Sequence, residues 1–241
     1  MRAQGAAPRK VEKFSEHRRE RFLGLDELVR LGAALREAET MGIPWQVDEA
    51  RPTAKHLPKE QHRFTRISPF AAAALRLLLF TGCRLREVLH LKWEHVDVER
   101  GVLFLPDSKS GRKTVVLNAP AMAILNSLTR LGSYVVPGGD PEQPRADLKR
   151  PWRIISRRAG LDGVRIHDLR HTYASYGAGS GLGLPIIGRL LGHTQASTTQ
   201  RYAHLDADPL RRASEAIGGR IAAALDGSGG AVAQLRAGRP G

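Results

Sequence analysis

Four short segments of this 241-residue chain gather residue types suited to handling a phosphodiester. They are Thr81-Gly82-Cys83-Arg84-Leu85-Arg86-Glu87, the turn that holds Lys109, His167-Asp168-Leu169-Arg170-His171-Thr172, and Leu191-Gly192-His193 with Tyr202 nine residues further on. Breaking a phosphodiester builds negative charge on a pentavalent phosphoryl group. A planar guanidinium offers paired N–H donors to such oxygens. Arg84 and Arg170 are the candidates for that clamp. Arg84 stands three residues before Glu87, so an i,i+3 pair can orient it. His167 and Arg170 are also i,i+3 and share one helix face, so both can point at one phosphate. Lys109 sits in a turn, where a side chain can swing toward a ligand, and nearby Lys113 competes for that part. His193 follows a glycine that reads as a helix stop and is a candidate donor to phosphate. Tyr202 carries a phenol, a poor nucleophile at its normal pKa of about 10. Clustered positive groups lower the cost of ionising it.

Each residue also has a plainer reading. An arginine in a basic chain is usually a surface residue or half of a salt bridge. Asp168 can cap a helix, His167 can be a core residue, and Lys109 can be a solvated turn lysine. His193 can be a second capping side chain, and Tyr202 can anchor the last turn of a helix. Tyr134, Tyr173 and Tyr176 compete with Tyr202; the last two lie along an apolar helix and read as core. His171 reads as structural, Cys83 as packing, and Trp93 and Leu89 as core.

Taken together, Thr-Gly-x-Arg-x-x-Glu, His-x-x-Arg-His, Leu-Gly-His and the later tyrosine resemble the signature of the tyrosine recombinase (phage integrase) family. The segments come in the family's order, and the resemblance covers roughly residues 22–217. It implies the catalytic-domain fold of the DNA breaking-rejoining enzymes. It implies a site-specific recombinase or integrase that cuts duplex DNA through a 3′-phosphotyrosine and exchanges strands. In that frame Tyr202 is the nucleophile and Arg84 and Arg170 hold the phosphate. His167 assists proton transfer, Lys109 is the general acid for the 5′-oxygen, His193 donates to the scissile phosphate, and Glu87 supports Arg84 or a histidine. No metal and no nucleotide cofactor is expected, because the covalent bond conserves the energy for rejoining. The implied partner is double-stranded DNA, with a monomer in isolation and a homotetramer on DNA. The segment over 208–225 would pack onto a neighbouring subunit. A non-catalytic DNA-binding module of the same fold and a type IB topoisomerase-like relaxing enzyme are the alternatives. Family members usually carry a helical core-binding domain ahead of the catalytic one. Only about 21 residues precede the first helix here, so a fragment or a weak binder is expected.

Composition agrees with a polyanionic partner. Lys and Arg number 38 against 24 Asp and Glu, a net charge of +14, which sets up a field attractive to DNA. Aromatic residues are 5%, too few for a base-stacking platform on single strands. Nine histidines are present, but no His-Glu-x-x-His and no regular acidic cluster accompanies them. A single cysteine excludes an internal disulfide. There is no apolar run of the roughly 20 residues that span a bilayer, and no membrane role or small-molecule substrate is expected. A cytoplasmic location follows.

The elements that must position these residues can be read from periodicity. Residues 1–21 are a basic arm or linker. Residues 22–225 form the catalytic domain, with a loop insertion at 41–68, and 226–241 are a flexible tail. Helices are expected over 25–40, with Asp26 as a cap, and over 69–80, 84–91, 120–130, 148–159, 167–178, 184–191 and 198–203. Three apolar runs, at 96–98, 102–105 and 114–117, read as an antiparallel meander. The fold class is therefore mainly α with a small antiparallel three-stranded sheet (α+β).

Overall fold

The computed structural model describes residues 21–45, 58–108, 111–193 and 195–205, with Ser214 and Gly218. Lys109, the arm before Arg21, the tail over 226–241 and nearly all of 208–225 lie outside the described residues. The elements run α1 (Leu25–Glu39), β1 (Ile43–Pro44), β2 (Phe64–Thr65), α2 (Pro69–Thr81), α3 (Leu85–Leu89), β3 (Val96–Asp97), β4 (Val102–Ser108), β5 (Gly111–Val116), α4 (Ala119–Ser127), α5 (Lys149–Arg158), α6 (Ile166–Gly179) and α7 (Leu184–Leu191). Two 3₁₀ turns, Ala196–Thr198 and Gln200–Leu205, follow.

Helix α2 is the centre of the core. Pro69 at its first turn has a φ already suited to a helix. Ala71 to Leu75, Leu77 and Leu78 are all buried, as expected of a helix that is apolar all round. Each fully buried leucine contributes about 2 kcal/mol of transfer free energy. The small alanines let α4 and α6 approach closely. The helix ends at Gly82 in the left-handed region, φ +63°, with its N–H on Leu78 O at 3.1 Å. A Cβ there would stand 2.6 Å from Tyr173 Cδ1, so the Thr-Gly break is required by both backbone and packing.

The expected meander is present as β3-β4-β5, antiparallel throughout, with Leu103 opposite Val115 and facing the core. The expected loop over 41–68 differs. Its two ends pair as β1 and β2, with Ile43 opposite Thr65, and Trp45 Nε1 donates to Thr65 Oγ1 at 2.7 Å. The stretch 46–57 lies outside the described residues. Helix α1 is capped at Gly24 rather than Asp26, because the Glu27 carboxylate reaches back to accept the Gly24 N–H at 3.0 Å. A stitch of Leu23 N–H to Thr172 Oγ1 at 3.0 Å ties this N-terminal turn to α6. The helix expected over 198–203 is instead a pair of 3₁₀ turns. Ser197, Thr198 and Thr199 favour such turns, since their hydroxyls compete for local hydrogen bonds. Among the described residues, no helix is long and apolar enough to cross a membrane.

Candidate active site

The site is assembled from the start of α3, strand β5, helix α6, the end of α7 and the 3₁₀ turn that carries Tyr202. Arg84 is the N-cap residue of α3, and Glu87 occupies the third helical position. One oxygen of Glu87, Oε2, accepts the Arg84 N–H at 2.8 Å, and the other, Oε1, accepts from Arg84 Nη1 at 2.8 Å. The backbone cap and the side-chain pair thus fix Arg84 together. Its side chain remains 27% exposed, which leaves guanidinium donors facing solvent.

Lys113, on β5, brings the sheet into the same group. Its Nζ donates to Glu87 Oε2 at 3.1 Å, and its side chain is only 4% exposed. Burial opposes ionisation of Glu87, but the Arg84 amide, the Lys113 ammonium and the Arg84 guanidinium outweigh it. The carboxyl is held below its ordinary range. Lys113 therefore spends its charge on Glu87. As a competitor for the mobile role expected of Lys109 it is badly placed, and Lys109 itself lies outside the described residues.

Arg170 lies on α6 and is 5% exposed. Its Nη2 donates to Leu191 O at 2.8 Å, and its Nη1 donates to Gly82 O. One guanidinium therefore cross-links the Thr-Gly break after α2 to the Leu-Gly-His break after α7. Burial and the neighbouring Arg84 charge lower its pKa. Asp168, also on α6, takes its plainer role. It accepts the Arg165 N–H at 2.8 Å and caps the helix.

Helix α7 stops at Gly192, φ +68°, and the His193 N–H closes on Gly188 O at 2.9 Å. A Cβ at 192 would lie 2.8 Å from Lys113 Cδ, so glycine is needed for Lys113 to pass. His193 Nδ1 meets Thr199 Oγ1 at 2.9 Å, which fixes the ring and leaves its other nitrogen for a ligand. Burial pushes the His193 imidazole down to about 4, and the charges of Arg170, Arg84, Arg201 and Lys113 push the same way. These cations converge on one imidazole, so the site is a positive hole.

Tyr202 packs against the same helix, α6. It is 5% exposed, and its hydroxyl lies 2.7 Å from His171 Nδ1. His171, read from the sequence as structural, is one turn beyond His167 and shares that face. The two rings meet edge to face with centroids 4.8 Å apart. Burial pushes His171 down to about 4 and, with Arg170, also lowers His167. Both are neutral at pH 7.

The structure thus brings Arg84, Glu87, Arg170 and His193 into one cationic group, with His167 next to it along α6 and Tyr202 at His171. Lys113 was noticed in the sequence only as a rival of Lys109. The i,i+4 spacing of His167 and His171 was the signal that could have placed His171. Of the competing tyrosines, Tyr173 packs over Gly82. Tyr176 is 40% exposed rather than core, because it lines an open apolar cleft with Leu28, Leu182 and Ile187. Cys83 is buried, which pushes its thiol up and away from thiolate chemistry.

The phage integrase family model matches residues 61–208. The chain is 32% identical to tyrosine recombinase XerA of Saccharolobus solfataricus over 57% of this chain and 46% of that protein. It is 27% identical to tyrosine recombinase XerA of Pyrococcus furiosus over 81% of this chain and 68% of that one. It therefore spans about half the length of the first of these relatives. Among solved structures it resembles the catalytic domain of bacteriophage HP1 integrase, at 20% identity and TM-score 0.55 over 83% of this chain and 96% of that one. It also resembles XerH site-specific recombinase bound to palindromic difH substrate in a post-cleavage complex, at 18% identity and TM-score 0.56 over 80% of this chain and 52% of that one.

Proposed function

The chain belongs to the phage integrase family, and from that membership we propose that it is a tyrosine-type site-specific recombinase domain. It cuts and rejoins duplex DNA through a 3′-phosphotyrosine on Tyr202. The observation that carries this reading is the seating of two arginines at one positive hole: Glu87 holds Arg84 at 2.8 Å, and Arg170 joins Gly82 O to Leu191 O, beside His193. Such a hole stabilises a pentavalent phosphoryl group more than a ground-state phosphate, because its charges are fixed before the reaction starts.

In this reading the exposed donors of Arg84 and the remaining N–H groups of Arg170 take the non-bridging oxygens. His193, neutral and held by Thr199, donates from its free ring nitrogen. His167 assists proton transfer beside Arg170. Tyr202 passes its phenolic proton to His167, attacks phosphorus and displaces the 5′-oxygen, which takes a proton from Lys109 as general acid. The freed 5′-hydroxyl of a partner duplex then attacks the phosphotyrosine and restores the tyrosine. No bond energy is lost, so rejoining needs no nucleotide. The partner is double-stranded DNA, the working assembly a tetramer on that DNA.

Nicked duplexes that lose a short 5′-hydroxyl fragment on cleavage trap the covalent step. Wild-type protein, incubated with a set of them that includes sequences flanking its own gene, gives a DNA–protein adduct on a denaturing gel. Tyr202→Phe gives none. Duplex binding with no adduct from wild type on any sequence would favour a non-catalytic DNA-binding module instead.

A further inference from the structure

We propose that His171, which the sequence reading leaves as structural, orients the attacking oxygen of Tyr202 and so acts as a positioning residue of the reaction. The inference rests on Tyr202 being the nucleophile. Its basis is the 2.7 Å contact between His171 Nδ1 and the Tyr202 hydroxyl. Tyr202 stands on the 3₁₀ turn Gln200–Leu205. Helix α6 belongs to the core, with Asp168, Leu169, Arg170 and Thr172 all buried. A hydrogen bond to α6 therefore transfers the rigidity of the core to the attacking atom.

Position on the helix gives the bond its consequence. His167, Arg170 and His171 stand at i, i+3 and i+4, so they occupy one face. The hydroxyl held by His171 is kept beside the pair that handles the phosphate in the proposed reaction. The space next to the phenol, lined by Phe22, Ser175 and Arg201, has a volume of about 10 Å³, at the lower limit for one water. His171 is neutral at pH 7 and too weak a base to keep a phenolic proton. Its part is therefore orientation, and the chemistry needs the oxygen aligned with phosphorus to a fraction of an ångström.

Two substitutions separate orientation from packing. His171→Asn keeps a hydrogen-bonding atom close to the Nδ1 position. His171→Leu keeps comparable bulk and removes it. Single-turnover adduct formation is measured on the nicked duplex at saturating DNA. The expected result is a loss of about 100-fold for leucine, recovery to within about 10-fold of wild type for asparagine, and an unchanged half-saturating DNA concentration for both. Equal rates for the two variants would overturn the inference, as would a leucine variant as fast as wild type. Tyr202→Phe, run alongside, separates the two layers. An adduct that survives in Tyr202→Phe refutes the nucleophile assignment. An adduct lost there but untouched by His171→Leu refutes only the role of His171. NMR of the 241-residue chain without DNA gives a readout independent of activity. The His171 Nδ1 resonance should move in Tyr202→Phe, and an unmoved resonance would overturn the contact itself.

Discussion

Lys113 and Glu87 form a buried ion pair at 3.1 Å, and the second oxygen of the same carboxylate holds Arg84. A strand of the small sheet is thereby bonded to the residue that orients a phosphate-binding arginine. Lys113 also passes beneath Gly192, so this pair connects β5 with two of the four chemical segments. Glu87→Ala leaves Lys113 and Arg84 without their carboxylate, and a buried charge stripped of its partner costs about 3–5 kcal/mol. Lys113→Met, which keeps the length of the side chain, should cost distinctly less, because Glu87 retains Arg84. Urea denaturation of the two variants measures the difference. Equal losses would mean that the pair is not buried in solution.

Gly192→Ala places a methyl 2.8 Å from Lys113 Cδ on a backbone with φ +68°. The left-handed conformation alone costs about 1–2 kcal/mol for a residue with a Cβ, and the contact adds to it. Combining Gly192→Ala with Lys113→Ala should return the steric part and leave the backbone part. Thermal melts of the single and double variants check this by a double-mutant cycle.

Arg84 and Arg170 should separate in their effects. Arg170→Lys breaks the cross-link between Gly82 O and Leu191 O, which a single ammonium cannot span. It should lower both the melting temperature and the adduct rate. Arg84→Ala removes a side chain that is partly exposed, so the melting temperature should fall less, while the rate falls by about 100-fold or more. Comparing melting temperature with adduct rate for each variant tests the assignment.

The histidines set a pH dependence. His171 and His193 are held at about 4 in the folded protein, against 6.5 for an unperturbed imidazole. Between those values the unfolded chain binds more protons than the folded one. The stability they contribute is complete above about pH 6.5 and is lost progressively as pH falls toward 4. Urea titrations at pH 7.5, 6, 5 and 4.5 should show that decline. His193→Asn should flatten it, because the substituted chain has one fewer site to protonate on unfolding.

The parts of this fold that depend on near neighbours in the chain were legible in the sequence. The Thr-Gly stop, the i,i+3 partnership of Arg84 with Glu87, the shared face of His167 and Arg170, and the three-stranded meander all follow from local spacing. What depended on distant partners was not. Lys113 meets Glu87 across 26 positions, and His171 meets Tyr202 across 31. No periodicity carries those pairings, because they are fixed by how the sheet and the last turns pack on α6. The pairing of β1 with β2 was missed for a similar reason. Strands of two residues give no alternation to read. Asp26 was the obvious cap by residue type, yet Glu27 reaches Gly24 and moves the helix start.

Tyr202 as the residue that carries DNA is the centre of the account. Digesting the trapped adduct with protease and nuclease, then sequencing the peptide that retains a nucleotide by mass spectrometry, tests it most directly. The expected peptide contains Tyr202 and carries the nucleotide on it. A nucleotide on Tyr173, Tyr176, Tyr134 or any other residue would contradict it.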